Sequence, residues 1–236
     1  MPATLYNKEG RIGTAIVSHG LGGWKDQAII LSIVEAFIST GFTVLTYDAA
    51  DGANGPDTNP RKSTTTGHLE DLEDVVAYAK TQEWFCEPLI LAGHSLGAMI
   101  SAEYAKRHAD VSRIILVAPA ISWKTYRKFV FPMALWWLVA GSFKMLGPTA
   151  QGYRLGRPWL LDFVTWNGYA SARTVSIPAL VITAENDGLV GTIETHTRYA
   201  RSFPNATHVV VKGADHDFDS SLPAVTDTIT AWHTSL

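Results

Sequence analysis

The chain has 236 residues, enough for one α/β domain with room for a small insertion. Hydrophobic residues make up 47% and charged residues 17%, a balance that supplies a sizeable core and excludes a disordered chain. The formal net charge of -3, with lysines and arginines scattered along the chain, excludes the basic stripe of a nucleic-acid binder. Cys86 is the only cysteine, so no intrachain disulfide can form. The N-terminal run MPATLYNKEGR lacks the apolar core of a signal peptide, and a cytoplasmic protein is the expectation.

Strand-like runs are Thr14–Ser18, Thr43–Tyr47, Leu89–Ala92, Arg113–Val117, Ala179–Thr183 and Thr207–Val211. They are short, β-branched and apolar on both faces, as strands buried in a parallel sheet are. Helical spacing recurs between them, first over Gln27–Thr40, which stops at Gly41. The long segment Ala49–Gly67, rich in Gly, Asn, Pro and Thr, reads as a loop. A helix over His68–Thr81 then puts Glu70, Asp71, Glu73 and Asp74 near its start, where acids suit the positive end of the dipole. Leu96–His108, Ile193–Ser202 and Pro223–Trp232 complete the helices. This alternation predicts an α/β fold, a mostly parallel sheet with helices on both faces.

The alternation breaks once. Residues 1–119 and 177–236 read as the core, and residues 120–176 as an inserted cap or lid with no evident strand. Five of the eight tryptophans fall in it: Trp123, Trp136, Trp137, Trp159 and Trp166. Within it Phe129–Phe143 is uncharged and apolar, yet its 15 residues fall short of a membrane span, which needs roughly 20. It reads as buried cap or pocket wall, with interfacial membrane contact and a partner surface as the other readings.

Gly93-His94-Ser95-Leu96-Gly97 matches G-x-S-x-G, between a strand and a helix. A turn this tight strains the backbone at the serine and holds its hydroxyl above the carboxyl end of the sheet. The two glycines leave room for helix and strand to approach. His19-Gly20-Leu21-Gly22-Gly23 follows the first strand run and can aim a backbone N–H at a reacting carbonyl oxygen. The N–H groups of Leu21 and Leu96 are the candidate oxyanion hole. His19 reads as a loop-bracing residue, and His94 as pointing into the flanking structure.

A serine hydroxyl needs a base. His216, in Gly213-Ala214-Asp215-His216-Asp217-Phe218, lies just past the last strand run on the same carboxyl edge. His68, His108, His196, His208 and His233 lie within or beside predicted elements and read as surface residues. The base needs an acid to fix its tautomer. Asp187, in Glu185-Asn186-Asp187-Gly188, is favoured, with Glu185 as the near competitor. Asp215 and Asp217 flank the base too closely to orient it easily, and Asp48 reads as a loop anchor.

HGLGG, GHSLG, ENDGLV and GADHDF, in this order, resemble the α/β-hydrolase superfamily over essentially the whole chain. The general look is that of small intracellular esterases and serine-peptidase-like hydrolases, with cinnamoyl and feruloyl esterases among them. One departure is that Ala49-Ala50-Asp51-Gly52 follows Asp48 where relatives often carry Arg-Gly or His-Gly. The resemblance implies two-step acyl transfer through a Ser95 acyl-enzyme, with no metal or organic cofactor. Trp136 and Trp137 suggest an apolar or aromatic moiety in a small ester substrate, with a thioester, amide or lactone open to the same machinery. A peptidase, a thioesterase and a non-catalytic small-molecule receptor are the alternatives. Epoxide and haloalkane hydrolases are disfavoured, because they carry Asp at the nucleophile position.

Overall fold

The computed structural model describes residues 1–7, 12–52, 58–125, 140–144 and 154–235. Trp136 and Trp137, with most of the apolar run 129–143, lie outside the described residues. Seven strands form one sheet in the order β1 (Ala3–Tyr6), β3 (Thr43–Tyr47), β2 (Thr14–Ser18), β4 (Leu89–His94), β5 (Val111–Val117), β8 (Ala179–Ala184) and β9 (Ala206–Val211). All neighbours are parallel except β1, which runs antiparallel along the outer edge of β3.

The six strand runs read from the sequence are all present, within two residues at either end. Their apolar character on both faces has a direct cause. Ile16, Leu91, Leu116 and Val181 point to one core, and Val17, Ala92, Val117 and Ile182 to the other. Alternate side chains leave a strand on opposite faces, so a sheet covered on both sides must be apolar throughout. One face is covered by α2 (Thr65–Lys80), α3 (Leu96–Arg107) and α6 (Ile193–Ala200). The other is covered by α1 (Ala28–Ser39) and α7 (Leu222–Thr234), through residues such as Ile33, Phe37, Ile229 and Trp232.

Three local expectations change. The helix α2 begins at Thr65, so the preceding loop ends earlier than Gly67. Thr64 caps it, its Oγ1 accepting the Gly67 N–H at 2.8 Å. The four acids therefore lie beyond the first turn, which contains none, and the helix dipole does not explain them. Instead, Asp162 of α4 (Arg157–Phe163) reaches across to this helix end and accepts the Thr66 N–H at 2.9 Å and its hydroxyl at 2.5 Å.

The segment between β5 and β8 also has strands. β6 (Ser142–Lys144) pairs antiparallel with β7 (Arg154–Gly156). Three residues each are too few for a period of two to register in the sequence. The two ends of this segment are joined by a bridge between Ser122 and Asn167 and by the Gly168 N–H, which donates to the Ile121 carbonyl at 2.8 Å. The short helix α5 (Gly168–Ala172) then returns the chain to the core, where the Ser171 hydroxyl donates to the buried carboxylate of Glu103 in α3. Trp159 is buried, stacked on Phe163 with ring centroids 4.6 Å apart, and Arg107 lies 5.8 Å over Trp166. These two tryptophans pack structure. Among the described residues no helix is long and apolar enough to cross a membrane.

Candidate active site

Ser95 sits between β4 and α3 with φ 55° and ψ −114°, a left-handed conformation that side chains other than glycine seldom adopt. The strain is held by two bonds. The Ser95 N–H donates to the Val117 carbonyl at 2.9 Å, and the Ala120 N–H donates to the Ser95 carbonyl at 2.9 Å. Glycine is required on either side. A Cβ on Gly93 would lie 2.4 Å from the carbonyl carbon of Gly97, and one on Gly97 would lie 2.2 Å from the Ser18 carbonyl oxygen. The helix thus starts in contact with both its own strand and β2.

The loop after β2 passes directly beside the serine. A Cβ on Gly20 would lie 3.1 Å from Ser95 Cβ. Gly23 N–H donates to the Gly20 carbonyl at 3.0 Å, and Gly22 has φ +74°, the signature of a type II turn with Leu21 and Gly22 at its centre. Leu96 is the first residue of α3, so its N–H has no acceptor within the helix. His19 braces this loop, as read from the sequence. Its Nδ1–H donates to the Gly20 carbonyl at 2.7 Å, and its Nε2 accepts the Ala49 N–H at 3.1 Å. Burial keeps its pKa below the ordinary value, so it stays neutral and both bonds persist. Asp48 anchors the next residues, accepting the Lys25 N–H at 2.7 Å.

The loops after β8 and β9 bring the other two residues in. His216 Nε2 lies 3.1 Å from Ser95 Oγ, and His216 Nδ1 lies 2.8 Å from Asp187 Oδ2. Asp187 Oδ1 also accepts the N–H groups of Leu189 at 2.8 Å and Val190 at 2.9 Å. Burial alone would raise this carboxyl. The His216 bond and charge and the two N–H donors outweigh it, and its pKa lies below the usual value. Because an ionised carboxylate can only accept, the proton of neutral His216 is on Nδ1, and Nε2 is free to accept from the serine hydroxyl.

The competing acids are occupied elsewhere. Glu185 accepts the Gly213 N–H at 2.8 Å, which ties the two loops together without touching the imidazole. Asp217 accepts from Gln27 Nε2 at 3.4 Å, and Asp215 from the Asp219 N–H at 3.3 Å. Two histidines read as surface residues are buried. His68 lies beside Ser63 and His19, and His196 donates from Nε2 to the Pro119 carbonyl at 3.1 Å. Each has a polar partner that permits burial, Ser63 only five residues before His68, but Pro119 77 residues from His196, where nothing in the local sequence signals it. Among the described residues no group of three His, Cys, Asp or Glu side chains could hold a metal ion.

The sequence model described as serine aminopeptidase, S33, matches residues 11–168. A search of curated protein sequences finds no significant match. Solved structures are similar at the level of the fold. Est1E from Butyrivibrio proteoclasticus with ferulic acid bound is 20% identical, with a TM-score of 0.80 over 99% of this chain and 94% of that one. Alpha/beta hydrolase domain-containing protein 10 from mouse is 16% identical, with a TM-score of 0.79 over 99% and 93%. The alpha/beta hydrolase GrgF from Penicillium sp. is 20% identical, with a TM-score of 0.75 over the whole of both chains.

Proposed function

From the premise that this chain belongs to the serine aminopeptidase S33 family of α/β-hydrolases, we propose that it is a serine hydrolase. Its reading is cleavage of a carboxylic ester with an apolar or aromatic moiety through an acyl-enzyme. The observation that carries the proposal is the continuous array from Ser95 Oγ through His216 to Asp187, at 3.1 and 2.8 Å.

In this reading Ser95 Oγ attacks the ester carbonyl while His216 Nε2 takes its proton. Asp187 holds the imidazole tautomer and stabilises the imidazolium that forms. The oxyanion is held by the N–H groups of Leu21 and Leu96, each worth about 3–4 kcal/mol in the transition state. His216 then protonates the departing alcohol. Water, activated by the same imidazole, releases the acid and restores the serine. The segment 120–176 serves as a cap, with Trp136 and Trp137 against the apolar part of the substrate. A ferulic acid complex of a structural neighbour agrees with an aromatic ester as substrate.

The family description favours a second reading, a peptidase or amidase on the same array. A fluorophosphonate probe tests the shared chemistry first. The native protein should be labelled, and Ser95→Ala should not. Failure of the native protein to react would remove the hydrolase reading and leave a small-molecule receptor. Turnover compared across esters, thioesters and aminoacyl amides then separates the substrate classes, with esters expected to lead.

A further inference from the structure

His94 stands between His19-Gly20 and His216, immediately before Ser95. It is 2% exposed. Its Nε2 lies 2.9 Å from the main-chain carbonyl oxygen of His216, a residue 122 positions away, and since a carbonyl only accepts, the ring donates. The two imidazoles pack against each other with centroids 4.7 Å apart and planes tilted by 45°. On its other side, a Cβ on Gly20 would lie 3.3 Å from His94 Nδ1. One ring therefore touches the nucleophile turn, the base loop and the loop beside the serine.

We propose that His94 is a positioning residue, whose Nε2–H fixes the main chain of His216 so that the imidazole faces the Ser95 hydroxyl. The inference rests on the serine-hydrolase reading for its catalytic consequence, though not for its geometry.

Two observations distinguish this from ordinary packing. The second ring nitrogen, Nδ1, is buried with no hydrogen-bond partner among the described residues. Leaving a buried acceptor unpaired is costly, and an apolar side chain of similar size would avoid the cost. What histidine adds at this position is its one donated bond. Second, the ring does not compete with His216 as a base. Burial first, then the neighbouring His216, push its pKa down to about 3, against weaker opposing effects of the His216 carbonyl and Asp187. It remains a neutral donor wherever His216 works, and its bond goes to a carbonyl rather than to the hydroxyl.

The base loop has other ties, from Asn186 N–H to the Ala214 carbonyl and from Gly213 N–H to Glu185. Both lie before His216 in the chain, and a third, from Gln27 Nε2 to the Asp217 carboxylate at 3.4 Å, lies after it. Among the described residues, the bond from His94 is the one made to the main chain of the base itself.

The test compares His94→Gln, His94→Asn and His94→Ala. Glutamine can place its amide nitrogen near the position of Nε2 and donate to the same carbonyl. Asparagine carries the same group but is one methylene too short. Alanine and asparagine should lower kcat toward a 4-nitrophenyl ester roughly tenfold to a hundredfold, as small misplacements of a reacting group do. KM should stay within about twofold, since the substrate contacts are not altered. Amide hydrogen exchange across residues 213–219 should quicken in both. Glutamine should recover most of both losses. Asparagine performing as well as glutamine, or native exchange in the alanine and asparagine variants, would overturn the proposal. If those two variants do not fold, glutamine alone decides, through native or lost exchange protection and kcat. If the native protein is inert to fluorophosphonate, the serine-hydrolase reading fails, and hydrogen exchange still decides whether His94 holds the loop.

Discussion

Asp71 illustrates how one side chain can tie stability to pH. It lies half-buried on α2, and its Oδ2 accepts the Ala50 N–H at 2.9 Å. Burial raises its pKa to about 6. The Ala50 bond and the N-terminal ammonium oppose the rise, and Asp51 and Asp74 add to it. In an unfolded chain the value is about 3.9. Between those limits the folded state binds the proton more tightly, so stability falls as pH rises from about 4 to about 6, and the cost is complete above that window. Asp71→Asn removes the charge and keeps an oxygen for the Ala50 N–H. It should raise the thermal midpoint by a few degrees at about pH 7.5 and leave it unchanged near pH 3.5. Equal midpoints for the two proteins at both pH values would show that Asp71 is not a cost to the fold. The site residues were readable singly because each stands in a local motif just past a strand: Ser95 in GHSLG, His216 in GADHDF, Asp187 in ENDGLV. The roles of His94 and His196 were not readable. Their partners are backbone carbonyls, of His216 and Pro119, and a carbonyl leaves no mark in a sequence.

At the scale of elements, the close approach of α3 to β2 and β4 is what lifts the serine above the sheet. Gly97 makes it possible, since a Cβ there would fall 2.2 Å from the Ser18 oxygen and 2.6 Å from that of His19. Both are backbone atoms of a central strand and the loop beside the serine, with little freedom to yield. Gly97→Ala should therefore force α3 outward at a cost of about 1–3 kcal/mol, as overpacking does. That corresponds to roughly 2–12 °C in thermal midpoint for a domain of this size. Gly188 is the control. It lies in the Asp187 loop, with nothing within 4 Å of its added Cβ. Gly188→Ala should be neutral or slightly stabilising through the unfolded chain. Similar midpoints for the two variants in a melting experiment would contradict the packing argument. The central strands were legible because burial on both faces demands an unbroken apolar run. β1, with four residues on an edge and mostly half-buried, sends no such signal, and β6 and β7 send even less.

Across the whole molecule, the first residues of the chain are coupled to the site through a short series of contacts. β1 pairs with β3 in the register Ala3 to Tyr47 through Tyr6 to Val44. The pairing continues past the strand, where the Pro2 carbonyl accepts the Asp48 N–H at 2.8 Å. Asp48 in turn accepts the Lys25 N–H at 2.7 Å, and the Tyr6 hydroxyl donates to Asp26 at 3.1 Å. Lys25 and Asp26 follow HGLGG after Trp24, so the edge strand holds the far end of the loop that passes Ser95. Deleting residues 1–6 should loosen that loop as well as bare the edge of β3 for pairing with other chains. The expected mark is faster amide exchange over residues 20–26, with residues 213–219 still protected, because the base loop is secured from β8 and β9. Under the serine-hydrolase reading, kcat toward a 4-nitrophenyl ester should fall about tenfold, since a donor to the oxyanion is displaced while the Ser95–His216 pair is not. Tyr6→Phe separates the two ties: it removes the Asp26 contact and leaves the strand bond to Asp48, which should preserve most of the activity. An exchange increase confined to β3 in the truncated chain would show that the edge strand supports the sheet alone and that the loop beside Ser95 holds its shape without it.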